Sequence, residues 1–466
     1  MEAEKTQPLP MNETEIMNQI QTLGINLVRF LYCDNGGLIR GKAAGGQRLQ
    51  ARLKGGIGLT VAMQAMNSLD QLQAVEGMGA VGEVRLMPDL NTFRVLPYAP
   101  NSASVLCDMR LLSGDAWEAC PRSFLRKQIE RAKLEAGISI EAAFEPEWTL
   151  AHLNPDGTYT ALDETVCFSS IGMTITANLI NEIIQALEAQ GLIVELYHPE
   201  LGHGQHELSV RHAEAMEAAD NHIIYRETIR NLAWKHDLIA SFAPKPFLEQ
   251  AGNGCHVHLS AWSVDSSVAK SNLFYDTQDQ YSLSQMAYFF INGILQHLPA
   301  LVALTCPSVN SYRRLRPKSW STAYTCYGFD NREATVRIAS PLKGTESSSI
   351  NLEIRASDNS NNPYLALGGI IAAGLDGIKQ AKLPGKGTLV DIDPATLSDT
   401  ERLSREIYRL PSSLDAALDE LEADEVLKET LGSQLLKSYL AVKRSEASSY
   451  AAENEAFELK NHFYKY

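Results

Sequence analysis

Residues 195–207 read E-L-Y-H-P-E-L-G-H-G-Q-H-E, which is three carboxylates and three histidines in thirteen positions. Burying an isolated charge is costly, so Glu195, Glu200 and Glu207 either face water or neutralise something positive. The flanks, L-I-V-E-L-Y before and E-L-S-V-R after, have the composition of half-buried strands, which argues against a purely solvated loop. A turn at Gly202-His203-Gly204 would fold Glu200 and Glu207 toward each other. The stretch therefore predicts two strands and a turn that carry a metal or cation site.

Other segments add to that site. In A-A-F-E-P-E-W-T-L, Glu145 and Glu147 are two apart, so on a strand both point to one face. His256 and His258 in A-G-N-G-C-H-V-H-L-S share that relation, on a strand entered through a glycine turn. A lone histidine on an apolar segment is more often a core residue than a ligand, but two on one face beside two acidic pairs reverse the expectation. N-L-E-I-R likewise puts Glu353 and Arg355 on one face. Several carboxylates with one or two imidazoles and no cysteine suit Mg²⁺ or Mn²⁺, whereas tetrahedral zinc favours His/Cys sets.

With 466 residues and 45% apolar content, the chain can bury a large core and a smaller one. Two domains are expected, 1–110 and 111–466, with the boundary just after the proline-bearing L-P-Y-A-P-N. A formal charge of −15 argues against nucleic acid or an anionic membrane as partner. The richest basic run, residues 311–318 (S-Y-R-R-L-R-P-K), suits a small anion better than a polymer. Seven cysteines are scattered singly, with no C-x-x-C pair, as reduced cytosolic thiols are. The polar start M-E-A-E-K-T-Q-P-L-P lacks a signal core, and the apolar run 364–375 is too short to span a bilayer. A soluble, cytoplasmic protein is the expectation.

Periodicity predicts helices over 13–23, 121–136, 174–190, 212–232, 283–304 and from 361 to near 381, with helical, charged sequence over 396–448. Strands are predicted over 26–32, 103–109 and 138–150, with strand alternation over 323–340 broken at Asn331-Arg332. Two motifs are decoys. Gly36-x4-Gly41-Lys42 imitates a P-loop, but Ala43 stands where the magnesium-binding hydroxyl is needed and Asn35-Gly36 signals a hairpin. The formal G-x-G-x-x-G of residues 77–82 leads into strand-like E-V-R-L-M-P, the reverse of a dinucleotide fold. Strands alternating with helices point to an α+β protein.

With these segments in order, residues 20–450 resemble the glutamine synthetase family, in its type I-like form. The matching blocks are D-N-G-G-L-I-R-G-K, E-P-E, E-L-G-H-G-Q-H-E, K-P-F-L-E-Q-A-G-N-G-C-H-V-H-L-S, N-S-Y-R-R-L, N-R-E-A-T-V-R and E-I-R-A-S-D-N-S-N-N-P-Y-L-A. The resemblance implies an N-terminal β-grasp domain, a catalytic domain with a curved antiparallel sheet flanked by helices, and a homo-oligomeric double ring with shared active sites, a dodecamer in many members. It implies that Glu147, Glu200 and Glu207 hold the metal nearer the substrate, and that Glu145, His256 and Glu353 hold the metal on the ATP phosphates. Glu195, His258 and Ser260 correspond to nucleotide contacts, Gly252, Arg314, Arg337 and Arg355 to glutamate contacts, and Arg332 to a phosphate-binding arginine. The implied chemistry is phosphoryl transfer from ATP to the γ-carboxylate of L-glutamate, then displacement of phosphate by ammonia or a small amine. Such a reaction crowds negative oxygens together, so it needs paired divalent cations and arginines such as Arg332 and Arg337, not a protein nucleophile.

Departures from the family pattern bear on the acceptor. The loop after the tyrosine-arginine motif carries a glutamate in glutamine synthetase proper, and that position here is Trp320. The segment G-G-I-G-L-T-V-A offers no match for the N-terminal aspartate that helps to hold ammonium, and P-G-K-G-T-L-V-D-I-D-P has no adenylylation tyrosine. The pattern is closer to the branch with FluG-like and nodulin-like domains, some of whose relatives join glutamate to organic amines. Three readings follow: a glutamate–amine ligase, glutamine synthetase proper with its carboxylate supplied elsewhere, and a non-catalytic ring protein, which would not need all six metal ligands.

Overall fold

The structure, a computed structural model, describes residues 12–265 and 270–466, so the polar first eleven residues lie outside it. A small sheet is formed by β1 (Leu27–Cys33), β2 (Ile39–Gly45), β3 (Ile57–Thr60), β4 (Glu83–Pro88), β5 (Arg94–Val95) and β6 (Ser102–Arg110). Its order is β2-β1-β6-β4-β3, with β5 beside β6 and only β1 and β6 parallel. Alternate residues Val28, Phe30 and Tyr32 of β1 and Ala103, Val105, Cys107 and Met109 of β6 form its core with Ile16 and Ile20 of the helix Glu13–Thr22. Trp117, Ala119 and Cys120 belong to the same core.

Gly36 of the P-loop decoy lies where the hairpin signal put it, in the β1–β2 connection, with Gly41 inside β2, but the tip is buried. Gly37 has φ +80, and a Cβ there would meet Ser360 O at 2.1 Å, so only glycine fits. Asn362 Nδ2 donates to Cys33 O (3.1 Å) and Asp34 O (3.0 Å), and the Tyr466 hydroxyl donates to Gly36 O (2.8 Å). This hairpin pins the small sheet to the rest of the chain.

The larger sheet comprises β7 (Ile138–Leu153), β8 (Tyr159–Ala161), β9 (Val194–Pro199), β10 (Gln205–Val210), β11 (Ala213–Glu214), β12 (Ile239–Ser241), β13 (Cys255–Ser263), β14 (Tyr327–Phe329), β15 (Val336–Ala339) and β16 (Asn351–Ile354). Its order is β14-β15-β16-β13-β7-β10-β9, with β8, β11 and β12 also paired to β7; only β14 and β15 are parallel. Ile138, Ile140, Ala142 and Phe144 of β7 and Val257, Leu259 and Ala261 of β13 face a core of three helices, Pro121–Ala136, Gln285–Thr305 and Pro363–Gln380. Period-two alternation then turns Glu145, Glu147, His256 and His258 to the opposite face. The last two helices touch backbone to backbone, because a Cβ on Gly293 would lie 2.1 Å from Ala373 O and one on Gly377 2.1 Å from Phe289 O.

Several elements differ from the periodicity. The helix expected over 174–190 is two, Ser170–Ile175 and Ala177–Ala189, broken where the Thr176 hydroxyl bonds Gly172 O and Tyr197. Helicity over 396–448 is divided into Asp399–Ser404, Leu414–Ala423, Glu425–Leu431 and Ser433–Ala451, because Pro411, the capping Asp424 and Gly432 at φ +78 interrupt it. Among the described residues one helix, Gln285–Thr305, is long and apolar enough to cross a membrane, more so than the 364–375 run, but 72% of its most apolar window is buried inside the protein.

That helix is fastened by a buried ion triad: His297 Nδ1 lies 2.6 Å from Asp424 and Nε2 3.1 Å from Asp376. Burial opposes the imidazolium, but the two carboxylates hold His297 above its ordinary pKa, while His297 lowers Asp424 against the effect of burial. A raised histidine contributes its stability below about pH 6.5 and loses it as pH rises through the folded value; a lowered aspartate contributes above about pH 4. His297→Ala should therefore cost about 1.5–3 kcal/mol at pH 5.5 and clearly less at pH 9, as read from urea midpoints.

Candidate active site

The polar face of the large sheet brings the predicted ligands into one row. Pairing sets Arg337 opposite Glu353, Glu353 opposite His258, His256 opposite Glu145, Glu207 opposite Glu147, and His198 opposite Glu207. Two groups of three ligand atoms, each within 4.8 Å of one another, result: Glu145, His258 and Glu353, and His198, Glu200 and Glu207.

In the first group, His258 Nε2 and His256 Nδ1 both lie 3.4 Å from Glu145 Oε2, and His256 Nδ1 is 3.2 Å from Glu353. The two imidazoles thus bracket Glu145. The resemblance assigned His256 to the metal and His258 to the nucleotide, whereas the geometry groups His258 with the two carboxylates. His256 Nε2 instead accepts from Arg314 (3.4 Å). Burial and then Arg355 lower His256 to about 4, while hydrogen bonding and charge from Glu145 overcome burial and raise His258 to about 9. Glu145 stays well below the usual range despite burial because both histidines face it.

The second group contains a ligand the motif reading left out. His198 Nδ1 lies 3.3 Å from Glu200 and Nε2 3.3 Å from Glu207. A hairpin centred between Gly202 and His203 puts residue 198 across from 207, a count available from the predicted turn. His206, adjacent to Glu207, faces the other way and is buried 4.9 Å from the Trp148 ring. Glu147 is held between the groups: its Oε2 accepts from Gln205 Nε2 (2.8 Å) and Gly254 N (3.0 Å). Gln205, within the E-L-G-H-G-Q-H-E block but assigned no role by it, also donates to Gly252 O (3.0 Å) and so ties the Gly252 segment to Glu147.

The arginines frame the row. Arg337 bonds Glu353 (2.7 Å) and Asp330 (3.1 Å), and Arg355 pairs with the other oxygen of Glu353. Arg355 foremost, then His258 and His256, outweigh burial and bring Glu353 down to about 2. Arg314 is buried beside His256 and Ser357. Arg332 is exposed, has no ion pair among the described residues, and acts electrostatically on Glu200. Ser260 continues the β13 face and accepts from Trp262 Nε1 (2.9 Å). Glu195 pairs with Arg211 (2.8 Å) and joins neither group. Trp320 lies on the loop after Arg314, its backbone tied down and its residue 68% exposed.

Glu207 is crowded by charge of its own sign. Burial, then Glu145, Glu147 and Glu200, raise it to about 10, and burial raises Glu147 to about 7 against Arg314. This oxygen-rich set with one imidazole per group and no thiolate fits hard divalent cations. An acid raised on folding makes stability fall as pH climbs from its unfolded value toward the folded one. Two outcomes are expected. Mn²⁺ binding at pH 7 should release more than one proton, measured calorimetrically in buffers of different ionisation enthalpy. Glu207→Gln should melt no lower than wild type without metal, and higher above pH 7, yet lose the Mn²⁺-induced rise in Tm.

Comparison with known proteins agrees with this geometry. Residues 11–117 match the glutamine synthetase N-terminal domain and residues 118–462 the glutamine synthetase catalytic domain. The chain is 33% identical to the glutamine synthetase of Halobacterium salinarum, over 98% of this chain and 97% of that one. It is 34% identical to the γ-glutamylpolyamine synthetase of Streptomyces coelicolor, over 94% and 92%. Among solved structures, a novel glutamine synthase homologue superposes with TM-score 0.82 at 32% identity, covering 94% of this chain and 98% of that one. A GmaS–ADP complex gives TM-score 0.81 at 29% identity, covering 95% and 97%. A carboxylate-lined sheet face, an arginine frame and matches over both domains have one common account: the chain belongs to the glutamine synthetase family, enzymes that join a carboxylate to an amine at the expense of ATP.

Proposed function

We propose that this enzyme is a glutamate–amine ligase whose acceptor is an organic amine, working through γ-glutamyl phosphate. Mg²⁺ or Mn²⁺ in the two ligand groups would neutralise the phosphate and carboxylate oxygens. Arg314, beside Gly252, is suited to orient the glutamate, since its buried guanidinium presents fixed donors. Arg332, exposed and without an ion pair among the described residues, is suited to the departing phosphoryl group, with Arg337 bordering it.

The observation that carries the acceptor reading is the 315–322 loop, L-R-P-K-S-W-S-T, which contains no acid and leaves the Trp320 residue 68% exposed. Holding NH₄⁺ and removing its proton calls for an anionic group within hydrogen-bond reach. An indole offers one N–H donor and a π face, worth about 0.5–2 kcal/mol to a cation, and apolar area that favours an alkyl or aryl substituent over a hydrated ion. The family's names include both acceptor types, glutamine synthetase and γ-glutamylpolyamine synthetase. In ATP-dependent phosphate release with glutamate, alkyl- or arylamines should give higher kcat/KM than ammonium. Trp320→Glu should narrow the gap by roughly tenfold, the scale of one cation–π contact. Ammonium as the best acceptor of the wild-type enzyme would sink this reading.

We also infer a ring-like homo-oligomer. Strand β9 is a free edge of the large sheet. Leu196 on β9, Leu201 just after it, and Val166, Phe168, Ile171 and Ile175 in and before the helix packed on β9 are all more than half exposed. An open edge with so much apolar surface supports subunit association. Sedimentation should find a large assembly, and a fully active monomer would contradict it.

A further inference from the structure

The acceptor half of the reaction needs a base that the roles above do not provide. At neutral pH roughly 0.1% or less of an alkylamine is in the free form, so the ammonium must lose a proton before nitrogen can attack. The 315–322 loop has no carboxylate, but one stands against it: Trp320 N donates to Glu333 Oε1 at 2.8 Å. Glu333 comes from the connection between β14 and β15, directly after Arg332.

The contacts place Glu333 at the edge of the reacting centre. Trp320 O accepts from Arg355 (3.1 Å), Arg355 Nε donates to Arg332 O (2.9 Å), and the same guanidinium holds Glu353. Trp320 is thus clamped between Glu333 and Arg355, at φ +57, a left-handed conformation that a tryptophan adopts only under constraint. Glu333 is itself fixed: its N–H donates to Asn331 Oδ1 (3.0 Å), and Asn331 Nδ2 is anchored on Val390 O and Ile392 O. Among the described residues, the other oxygen of Glu333, Oε2, has no hydrogen-bond partner, and no cation forms an ion pair with it. The charged groups that act on it are Asp393, whose Oδ1 already accepts from Ala395 N, and Arg355, already committed to Glu353. An anchored carboxylate with an oxygen left over, bonded to the backbone of the exposed Trp320, is equipped to receive an ammonium group.

We propose that Glu333 is the general base of the acceptor step, supplying from the β14–β15 connection the carboxylate that the 315–322 loop lacks. The inference rests on the amine-ligase reading. One proton passes from the acceptor's ammonium to Glu333 Oε2. The free amine's lone pair forms the C–N bond at the γ-acyl carbon, the C–O bond to the phosphoryl group breaks, and phosphate leaves with that electron pair. Phosphate takes up the second proton of the new amide nitrogen, and Glu333 returns its proton to solvent. Burial raises Glu333 above the ordinary carboxylate pKa, which brings it nearer the working pH of such a base.

The test is Glu333→Gln, which keeps an oxygen for the Trp320 N–H while removing the base. Wild type and variant are compared with the best alkylamine and with hydroxylamine, a nucleophile largely unprotonated at neutral pH. With the alkylamine, kcat/KM should fall by about 100-fold at pH 7, with unchanged KM for ATP and glutamate, and the deficit should shrink as pH rises. With hydroxylamine the two proteins should be nearly equal. Equal losses with both acceptors would mark Glu333 as a loop-positioning residue only, and no loss with either would remove it from the reaction; both results overturn the proposal. If the wild-type enzyme prefers ammonium, the organic-amine reading fails on its own, and the same comparison is made with ammonium in place of the alkylamine.

Discussion

Carboxylates of one sign crowd the centre of the large sheet, and much of the surrounding structure answers that crowding. Glu145 and Glu147 come from β7, Glu207 from β10 directly opposite, and Glu200 from the turn between β9 and β10. Left to themselves such groups stay protonated, as the rise of Glu207 to about 10 expresses. The protein relieves only part of it. The histidines lower Glu145, and Arg355 together with His258 and His256 lowers Glu353, while Glu147, Glu200 and Glu207 remain raised. That unequal compensation leaves one half of the site satisfied by protein cations and the other half poised for added positive charge, as a carboxylate–amine ligase handling ATP and glutamate needs.

Such a site also needs a stiff support. β7 supplies it, since five other strands pair with its sixteen residues and its apolar face is closed by the three core helices. The helices in turn are locked by glycine contact at Gly293 and Gly377 and by the His297 triad. At the other end, the buried β1–β2 hairpin binds the small sheet through Asn362 and Tyr466. Because Asn362 caps the helix Pro363–Gln380, the N-terminal sheet and the catalytic core share one hydrogen-bonded joint.

The acceptor side is built differently. No strand carries the 315–322 loop; it is held by side chains, with Glu333 and Arg355 on Trp320 and the Thr322–Thr335 hydroxyl pair behind them. Loops held this way change composition without disturbing the sheet, which is consistent with one scaffold serving different amines.

Period-two spacing made Glu145 with Glu147, His256 with His258, and Glu353 with Arg355 legible as same-face pairs, because alternation along a strand is a local property of the backbone. Helix punctuation was equally local, so Pro121 and Gly137 bound their helix where the pattern put it. Family blocks then ordered these pieces into a fold and a ligand set. Register was not local. His198 joins Glu200 and Glu207 only once β9 and β10 are aligned, and the sharing of Glu145 between two imidazoles depends on where β13 meets β7. Gln205 and Glu333 lie inside matched blocks that gave them no role, because each acts through a contact made by distant chain segments or by loop geometry. By itself the sequence determined which residue types sit on which strand face; the tertiary structure decided which faces meet, since cross-strand distances, desolvation and mutual repulsion among carboxylates exist only after the chain has packed.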